Sequence, residues 1–476
     1  MRHGLAPSAA KGLHLIPRSA FSAPTIFWFT STGFRIIERR MTYDVAIIGG
    51  GPAGSVAGAV LARNGRRVVI LEKEKFPRFR VGESLLPASS DTFERIGVKE
   101  KLDRAGFLIK HGGEISSACG AARGVYLFRN SLNPRWKTSY QVDRSKFDQI
   151  LLNHAQDCGC EVRYEVSVDG CVFESEEAIL TCNQDTETLR ANYLIDCSGR
   201  NAVLANHLRL KEPYPHLRKF SVFAYFQGAP LPPDPDASLT RMIRADDCWY
   251  WVIPMAEGKW SVGVVMDHER FRSLQLSPEQ AFEECIRRQP QVCDLIGEAK
   301  QFTPVRATAD FSYRTKKMFG NRWLVAGDAA GFIDPVFSSG VYIAVYSGEQ
   351  AAIAVQAAWR GPRARNFAFR HYQRLVEERL ATYLKMSSGW YTQEFIEIFL
   401  QPRGRLNLAP AISTVLSGNP ARRLGIKLRL QLFYLLVYLQ GRTGKLVKKL
   451  SLRPDATPTE GNHPVPVAQT SVAGQS

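Results

Sequence analysis

A short apolar strand ending in Gly-x-Gly-x-x-Gly constrains this chain more than any other feature. Tyr43 to Ile48 runs into Gly49, Gly51 and Gly54, and an Ala/Val/Leu helix pattern continues through Leu61. The glycines permit a tight turn and a close approach of the backbone to a pyrophosphate. That anion would rest on the helix N-terminus, where unpaired N–H groups and the helix dipole favour negative charge. The next predicted strand, Arg67 to Glu72, ends on a carboxylate at the distance where an acidic side chain holds ribose hydroxyls. That spacing favours FAD or NAD over a dinucleotide with a 2′-phosphate. A glycine turn alone also serves ordinary strand-to-helix connections.

Three later segments add weight. Tyr193 to Arg200 reads as a strand ending in a small-residue turn, and Trp323 to Ala330 as another, with Asp328 placed to reach a ribityl chain. Arg144, at a predicted helix start in Val142–Asp148, is placed to reach cofactor phosphates. Taken singly, these are turns and a solvated arginine. Together they resemble the FAD-dependent monooxygenase and reductase superfamily.

Two motifs narrow the resemblance. Trp249, Tyr250, Trp251, Val252, Ile253 and Pro254 spell WxWxIP, and Phe332 to Gly340 fits FxxPxxSxG with Pro335 in the turn. Alternate residues of a strand share a face, so Trp249 and Trp251 would project together as an indole pair. Such a pair is otherwise usually core packing, and a proline turn before a helix is a common cap. With Gly82-Glu83-Ser84-Leu85-Leu86-Pro87, the motifs occur in the order and approximate spacing of the flavin-dependent halogenases, and the chain resembles that family from about Met41 to Ala352.

The resemblance implies reduced FAD (FADH2) and O2 as the source of oxidising power, with chloride or bromide held near Ser338, Ser339 and Gly340. It implies hypohalous acid as the electrophile, Trp249 and Trp251 as a wall between flavin and substrate, and Lys110 as the catalytic amine in the segment Ala105–Gly113. Read without the family, Lys110 is a surface lysine at a strand end. Flanked by Phe107, Leu108 and Ile109, it is alternatively desolvated, which would lower its pKa. Glu83 is expected either to couple the flavin and halide sites or to serve as a structural turn residue.

One departure matters. Tryptophan halogenases carry a glutamate just before the serine of FxxPxxSxG, and this chain has Phe337 there. The resemblance therefore points to the branch acting on phenols, pyrroles or carrier-tethered acyl groups. A separate flavin reductase is expected as partner, because no second nucleotide fingerprint occurs. A monooxygenase or an isoprenoid-type reductase on the same fold, and a non-catalytic flavoprotein scaffold, remain the rival readings.

Charge bears on partners. Of the net +17, residues 1–40 hold +5 and residues 401–476 hold +9, leaving +3 for the body. Nucleic-acid binding would more naturally place a basic groove in the body, so none is expected. The basic C-terminal stretch reads as a helix with a solvated basic face, or as a surface for anionic lipid or an acidic acyl carrier protein, making peripheral membrane contact a possible addition to a cytoplasmic location. Nine cysteines, an odd number without CxxC pairs, argue against a disulfide framework or structural zinc.

The expected fold is α/β: a Rossmann-like FAD-binding domain interleaved with a mainly antiparallel substrate-binding sheet, plus a helical C-terminal region. The expected divisions are an extension over 1–40 preceding an alternative start at Met41, the two-part catalytic domain over 41–358, helices over 359–454, and a disordered tail over 455–476. The first forty residues show no strand leading into the fold. Within the C-terminal region, 424–432 alternates with a strand-like period, and 433–439 fits either a strand or a helix.

Overall fold

A computed structural model describes residues 26–30, 33–37 and 42–454, except 133, 230, 232–237, 310–311, 402–407 and 420–423. The chain divides into two units, Met1–Thr42 and Tyr43–Ser476. In the first, Ile26–Thr30 pairs antiparallel with Gly33–Ile37. This ribbon was not read from the sequence, although both segments are rich in the β-branched and aromatic residues that suit a pleated pair. The expected disordered tail lies outside the described residues.

In the second unit, Val45–Ile48 of the strand that starts at Thr42 pair in parallel with Val68–Glu72, which pairs in parallel with Glu161–Tyr164. On its other side lies Glu187–Asp196, which also pairs in parallel with Trp323–Val325. Continuous apolar runs such as Val-Val-Ile-Leu suit a parallel sheet covered on both faces. One cover is the helix Pro52–Arg63, which opens with proline at a position where no N–H is needed. A second helix, Ser339–Ala358, crosses it closely: a Cβ on Gly348 would stand 2.3 Å from the carbonyl oxygen of Ala53.

The other large sheet has eight strands. Lys219–Gln227, Lys259–Asp267, Cys248–Pro254 and Thr240–Arg244 form an antiparallel run, extended by Gly112–Ser117 and Arg123–Leu127. Its strands are two-faced. Phe223, Trp249, Trp251 and Ile253 join the main core, while Val222, Tyr250 and Val252 join a separate core with Phe282 and Val292 of the helices Pro278–Arg287 and Pro290–Ile296.

The C-terminal region comprises the helices Pro362–Trp390, Gln393–Leu400, Leu408–Leu416 and Leu424–Thr443. The last lies in the region expected to be helical and settles the choice between strand and helix that the local alternation over 424–432 had left open. Its buried positions are Ile426, Phe433 and Gln440, a sevenfold spacing that returns to the same face of a helix every two turns. The local alternation is incidental to that period. Among the described residues no helix is long and apolar enough to cross a membrane.

The contact at Gly348 leaves no room for a methyl group. Gly348→Ala is expected to cost about 1–3 kcal/mol by pushing the two helices apart, measurable as a lowered midpoint in thermal or urea unfolding.

Candidate active site

The glycine turn has the shape that a pyrophosphate needs. Gly49 sits at φ +97°, and a Cβ there would lie 2.5 Å from the carbonyl oxygen of Cys197. A Cβ on Gly54 would lie 1.9 Å from the carbonyl oxygen of Gly49, so the turn closes only with glycine at both positions. Gly51 caps the helix Pro52–Arg63 without a side chain over its first N–H groups. Glu72 is buried at the end of its strand, where its carboxylate accepts from the N–H of Gly50 at 2.8 Å and of Glu74 at 2.9 Å.

Two arginines converge nearby on the buried Asp148. Arg144 donates to both of its carboxylate oxygens, at 2.9 and 3.0 Å, and to the carbonyl of Val81 at 2.6 Å. Arg78 donates to the same carboxylate at 2.9 Å and stands 4.0 Å from Glu72. The Nε of Arg78 is buried without a hydrogen-bond acceptor, and its guanidinium lies 3.3 Å from where a Gly51 Cβ would be. A buried guanidinium N–H without an acceptor, beside a glycine turn, fits an anionic cofactor. Arg78 was not singled out from sequence, since an arginine in a loop carries no signal of its own. Burial pushes the Asp328 carboxyl up to about 6 against the opposing pull of Arg144 and Arg200.

The indole pair lies on one strand with ring centroids 5.9 Å apart. Trp251 lies against Gly263 of the neighbouring strand, where a Cβ would meet its ring at 2.2 Å. The two indole N–H groups are anchored in different directions. Trp251 Nε1–H donates to Ser261 Oγ at 3.1 Å, and Ser261 donates to Glu83 at 3.3 Å. Glu83 also accepts from Tyr225 and from the N–H of Gly82. Trp249 Nε1–H donates to the hydroxyl of Tyr391 at 2.9 Å, and Tyr391 donates to Asp334 Oδ2 at 2.5 Å. Asp334 belongs to the FxxPxxSxG segment, just ahead of Ser338, Ser339 and Gly340.

In that segment Ser338 takes the left-handed conformation, φ +55°, and the helix Ser339–Ala358 begins directly after it. Its first-turn N–H groups lack partners within the helix. Burial pushes Asp334 up to about 6, against the hydrogen bond from Tyr391 and the charge of Lys219. Burial and the neighbouring Asp334 hold the Tyr391 phenol well above its ordinary range, so it remains a donor. Phe337 is buried edge-on to Trp390 and beside Phe399.

Lys110 ends the strand Leu108–Lys110 and is buried, not on the surface. Its Nζ donates to Ser84 Oγ at 2.5 Å and to the carbonyl of Leu85 at 3.2 Å. Ser84 is 2.7 Å from Thr240 Oγ1, which also accepts from Gln141 at 2.8 Å. Among the described residues no carboxylate pairs with Lys110, and burial lowers its pKa from 10.5 to about 7. Gly82-Glu83-Ser84 thus joins two parts of the site: Glu83 reaches Trp251 through Ser261, and the adjacent Ser84 holds Lys110.

Tyr391, Asp334, Ser261, Ser84 and Thr240 were not selected from sequence. Asp334 and Ser84 fall inside recognised motifs, whereas Tyr391 lies in a helical region with no motif. Removing the phenol of Tyr391 leaves Trp249 Nε1 and Asp334 without their partner. Tyr391→Phe is accordingly expected to cost about 1–3 kcal/mol in equilibrium denaturation.

The family described as "FAD binding domain" matches residues 42–374. A 1H-pyrrole-2-carbonyl-[peptidyl-carrier protein] chlorinase of Pseudomonas fluorescens is 32% identical over 414 residues, covering 82% of this chain and 89% of the relative. A flavin-dependent halogenase of Armillaria mellea is 32% identical over 377 residues, covering 74% of this chain and 72% of the relative. The solved flavin-dependent brominase Bmp2 superposes with a TM-score of 0.75 at 26% identity, covering 84% of this chain and all of the other. With the glycine turn, the indole pair and this shared fold in place, the chain belongs to the flavin-dependent halogenases, FAD-dependent oxidoreductases that use a halide.

Proposed function

We propose that this chain halogenates an electron-rich ring, of the pyrrole or phenol class, carried as an acyl group on a carrier protein, and that Lys110 delivers the halogen. The observation that carries the reading is the buried, carboxylate-free Lys110 amine, tied through Ser84 and Glu83 to the strand that bears Trp251. Phe337, where an arene-activating glutamate would stand in a tryptophan halogenase, supports a ring that needs less assistance. Two relatives, the Pseudomonas chlorinase and a brominase of Pseudoalteromonas luteoviolacea at 30% identity, are named for pyrrole-2-carbonyl groups on peptidyl carrier protein.

Bound FAD, reduced by a separate flavin reductase, would supply with O2 the two-electron oxidation of halide to hypohalous acid. Gly49, Gly51 and Gly54 would admit its pyrophosphate, Glu72 its ribose, Asp328 its ribityl chain, and Arg144 with Arg78 its negative charge. Ser338, Ser339 and Gly340 would offer the halide the N–H groups of a helix start. Trp249 and Trp251 would exclude the aromatic substrate from the flavin side while the small hypohalous acid passes.

With a pKa of about 7, Lys110 is present as neutral amine and as ammonium in comparable amounts near neutrality. The amine would attack the halogen of hypohalous acid, breaking its bond to oxygen and releasing water to leave a haloamine, and the ammonium would instead donate a hydrogen bond to hypohalous oxygen; either places the electrophile beside the ring. Loss of a ring proton after attack restores aromaticity.

Lys110→Met is expected to retain FAD while lowering halogen incorporation by roughly 10²-fold or more. The assay supplies flavin reductase, O2 and bromide, and reads bromine isotope pairs by mass spectrometry on a carrier-loaded pyrrole. Undiminished bromination would remove Lys110 from the reaction, and hydroxylated product without bromine would favour a monooxygenase.

The same amine sets a pH dependence. Below about pH 7 the lysine is protonated in both folded and unfolded chains, and its desolvation cost is fully present. Between about 7 and 10.5 the unfolded chain holds the proton and the folded chain does not, so stability rises with pH. Wild type should gain on Lys110→Met across that window by at most about 1.4 kcal/mol per pH unit, measured by urea unfolding at stepped pH.

A further inference from the structure

The helix Leu424–Thr443 turns an apolar stripe toward solvent. Leu424, Leu428, Leu435 and Tyr438 recur at helical spacing and are 72%, 54%, 51% and 57% exposed, opposite the buried Ile426, Phe433 and Gln440. Its inward face is already satisfied: Gln440 donates to Glu397 at 2.7 Å and accepts from the N–H of Leu446 at 2.9 Å, and Phe433 packs on Phe395 and Phe399. The stripe therefore contributes nothing to the helix's own attachment. A contiguous apolar strip of this kind marks a contact surface.

Charge accompanies it. Residues 424–454 hold seven Lys and Arg side chains and no Asp or Glu. Lys427, beside Leu424 and Leu428 on the first turns, lines a surface cleft of about 620 Å³ with Arg95, His371, Arg374, Glu378 and Arg379. The carboxylate of Glu349 pairs with Arg95 at 2.6 Å, and Arg379 lies over Tyr346 at 3.4 Å, so these two are held in place as part of the wall. Arg374 and Lys427 are exposed at its rim. The cleft is concave and basic, and the apolar stripe begins at its edge.

We propose that this helix face, with the basic cleft at its start, docks an acidic carrier domain that presents the tethered acyl substrate; the proposal rests on the carrier-tethered reading above. A protruding acidic element fills the cleft while apolar side chains beside it cover Leu424, Leu428 and Leu435. A flat bilayer would cover the exposed stripe but leave the basic cleft at its start unfilled. Opposite charges across such a rim steer encounter and set the salt dependence, and the apolar contacts slow release.

The test uses the full-length FAD-loaded enzyme with pyrrole-2-carbonyl-loaded peptidyl carrier protein, and a free 2-acylpyrrole as the untethered control. Two double variants, Arg374→Glu with Lys427→Glu and Leu428→Ser with Leu435→Ser, change exposed side chains only. Each is expected to raise KM for the carrier-bound pyrrole roughly tenfold or more while leaving kcat, FAD content and turnover of the free acylpyrrole unchanged. Unchanged KM in both variants, with wild type active on the tethered probe, overturns the docking face and leaves the substrate reading intact. Wild type that halogenates the free acylpyrrole but not the tethered probe overturns the substrate reading and the docking face with it. Loss of sedimentation with phosphatidylserine/phosphatidylcholine vesicles in Leu428→Ser with Leu435→Ser, at unchanged KM for the carrier probe, assigns the face to a bilayer and also overturns the proposal.

Discussion

Two indole N–H groups on one strand, each tied to a different turn of the candidate site, organise everything around them. A tryptophan buried without an acceptor for its N–H loses free energy, so each ring must find a polar partner inside the core. Trp251 finds Ser261 and through it Glu83, and Trp249 finds Tyr391 and through it Asp334. The first chain runs to the turn that precedes Ser84 and Lys110. The second runs to the loop that opens the helix Ser339–Ala358. The ring planes are thereby oriented by bonds at their edges as well as by packing on their faces, and Gly263 supplies the space that lets the Trp251 ring lie flat on the next strand.

The burial of Lys110 has a different logic. An ammonium removed from water without a carboxylate is costly, and the protein offers hydroxyl and carbonyl acceptors instead. That choice depresses the pKa where a carboxylate would have raised it. The consequence is an amine with a substantial neutral fraction near neutral pH, held by a serine from the very turn whose glutamate supports the indole pair. A stabilising ion pair would have removed that property.

The C-terminal helices also help to build this site. Tyr391 follows the helix Pro362–Trp390, and Trp390 and Phe399 enclose Phe337 from outside the two sheets. A glutamate at position 337 would be surrounded there by aromatic rings, without the solvation that a carboxylate needs. The phenylalanine in the FxxPxxSxG segment and the aromatic side chains of the last helices therefore form one compatible set. The same helices leave an apolar and basic face outward, so their inner side completes the core while their outer side is available for recognition.

Local pattern alone determined much of this protein: a glycine turn between a parallel strand and a helix, a carboxylate at the end of the next strand, two same-face indoles, and a mainly antiparallel second sheet. Each of these is written in a few consecutive residues, because strand alternation and turn chemistry are short-range. At 424–432 accidental alternation left strand and helix both open, and the recurrence of Ile426, Phe433 and Gln440 every seven residues marks the helix; the strand pair within residues 26–37 was not read from the sequence. Only the tertiary structure decided that Lys110 is buried, that Arg78 stands beside Gly51, and that Tyr391 bridges Trp249 to Asp334. Those facts depend on contacts such as Trp249 with Tyr391, 142 residues apart, and Ser261 with Glu83, 178 apart. Side chains so distant along the chain share no local signature; they meet because two sheets and a terminal set of helices each bury an apolar face, and the polar groups trapped between them must then pair.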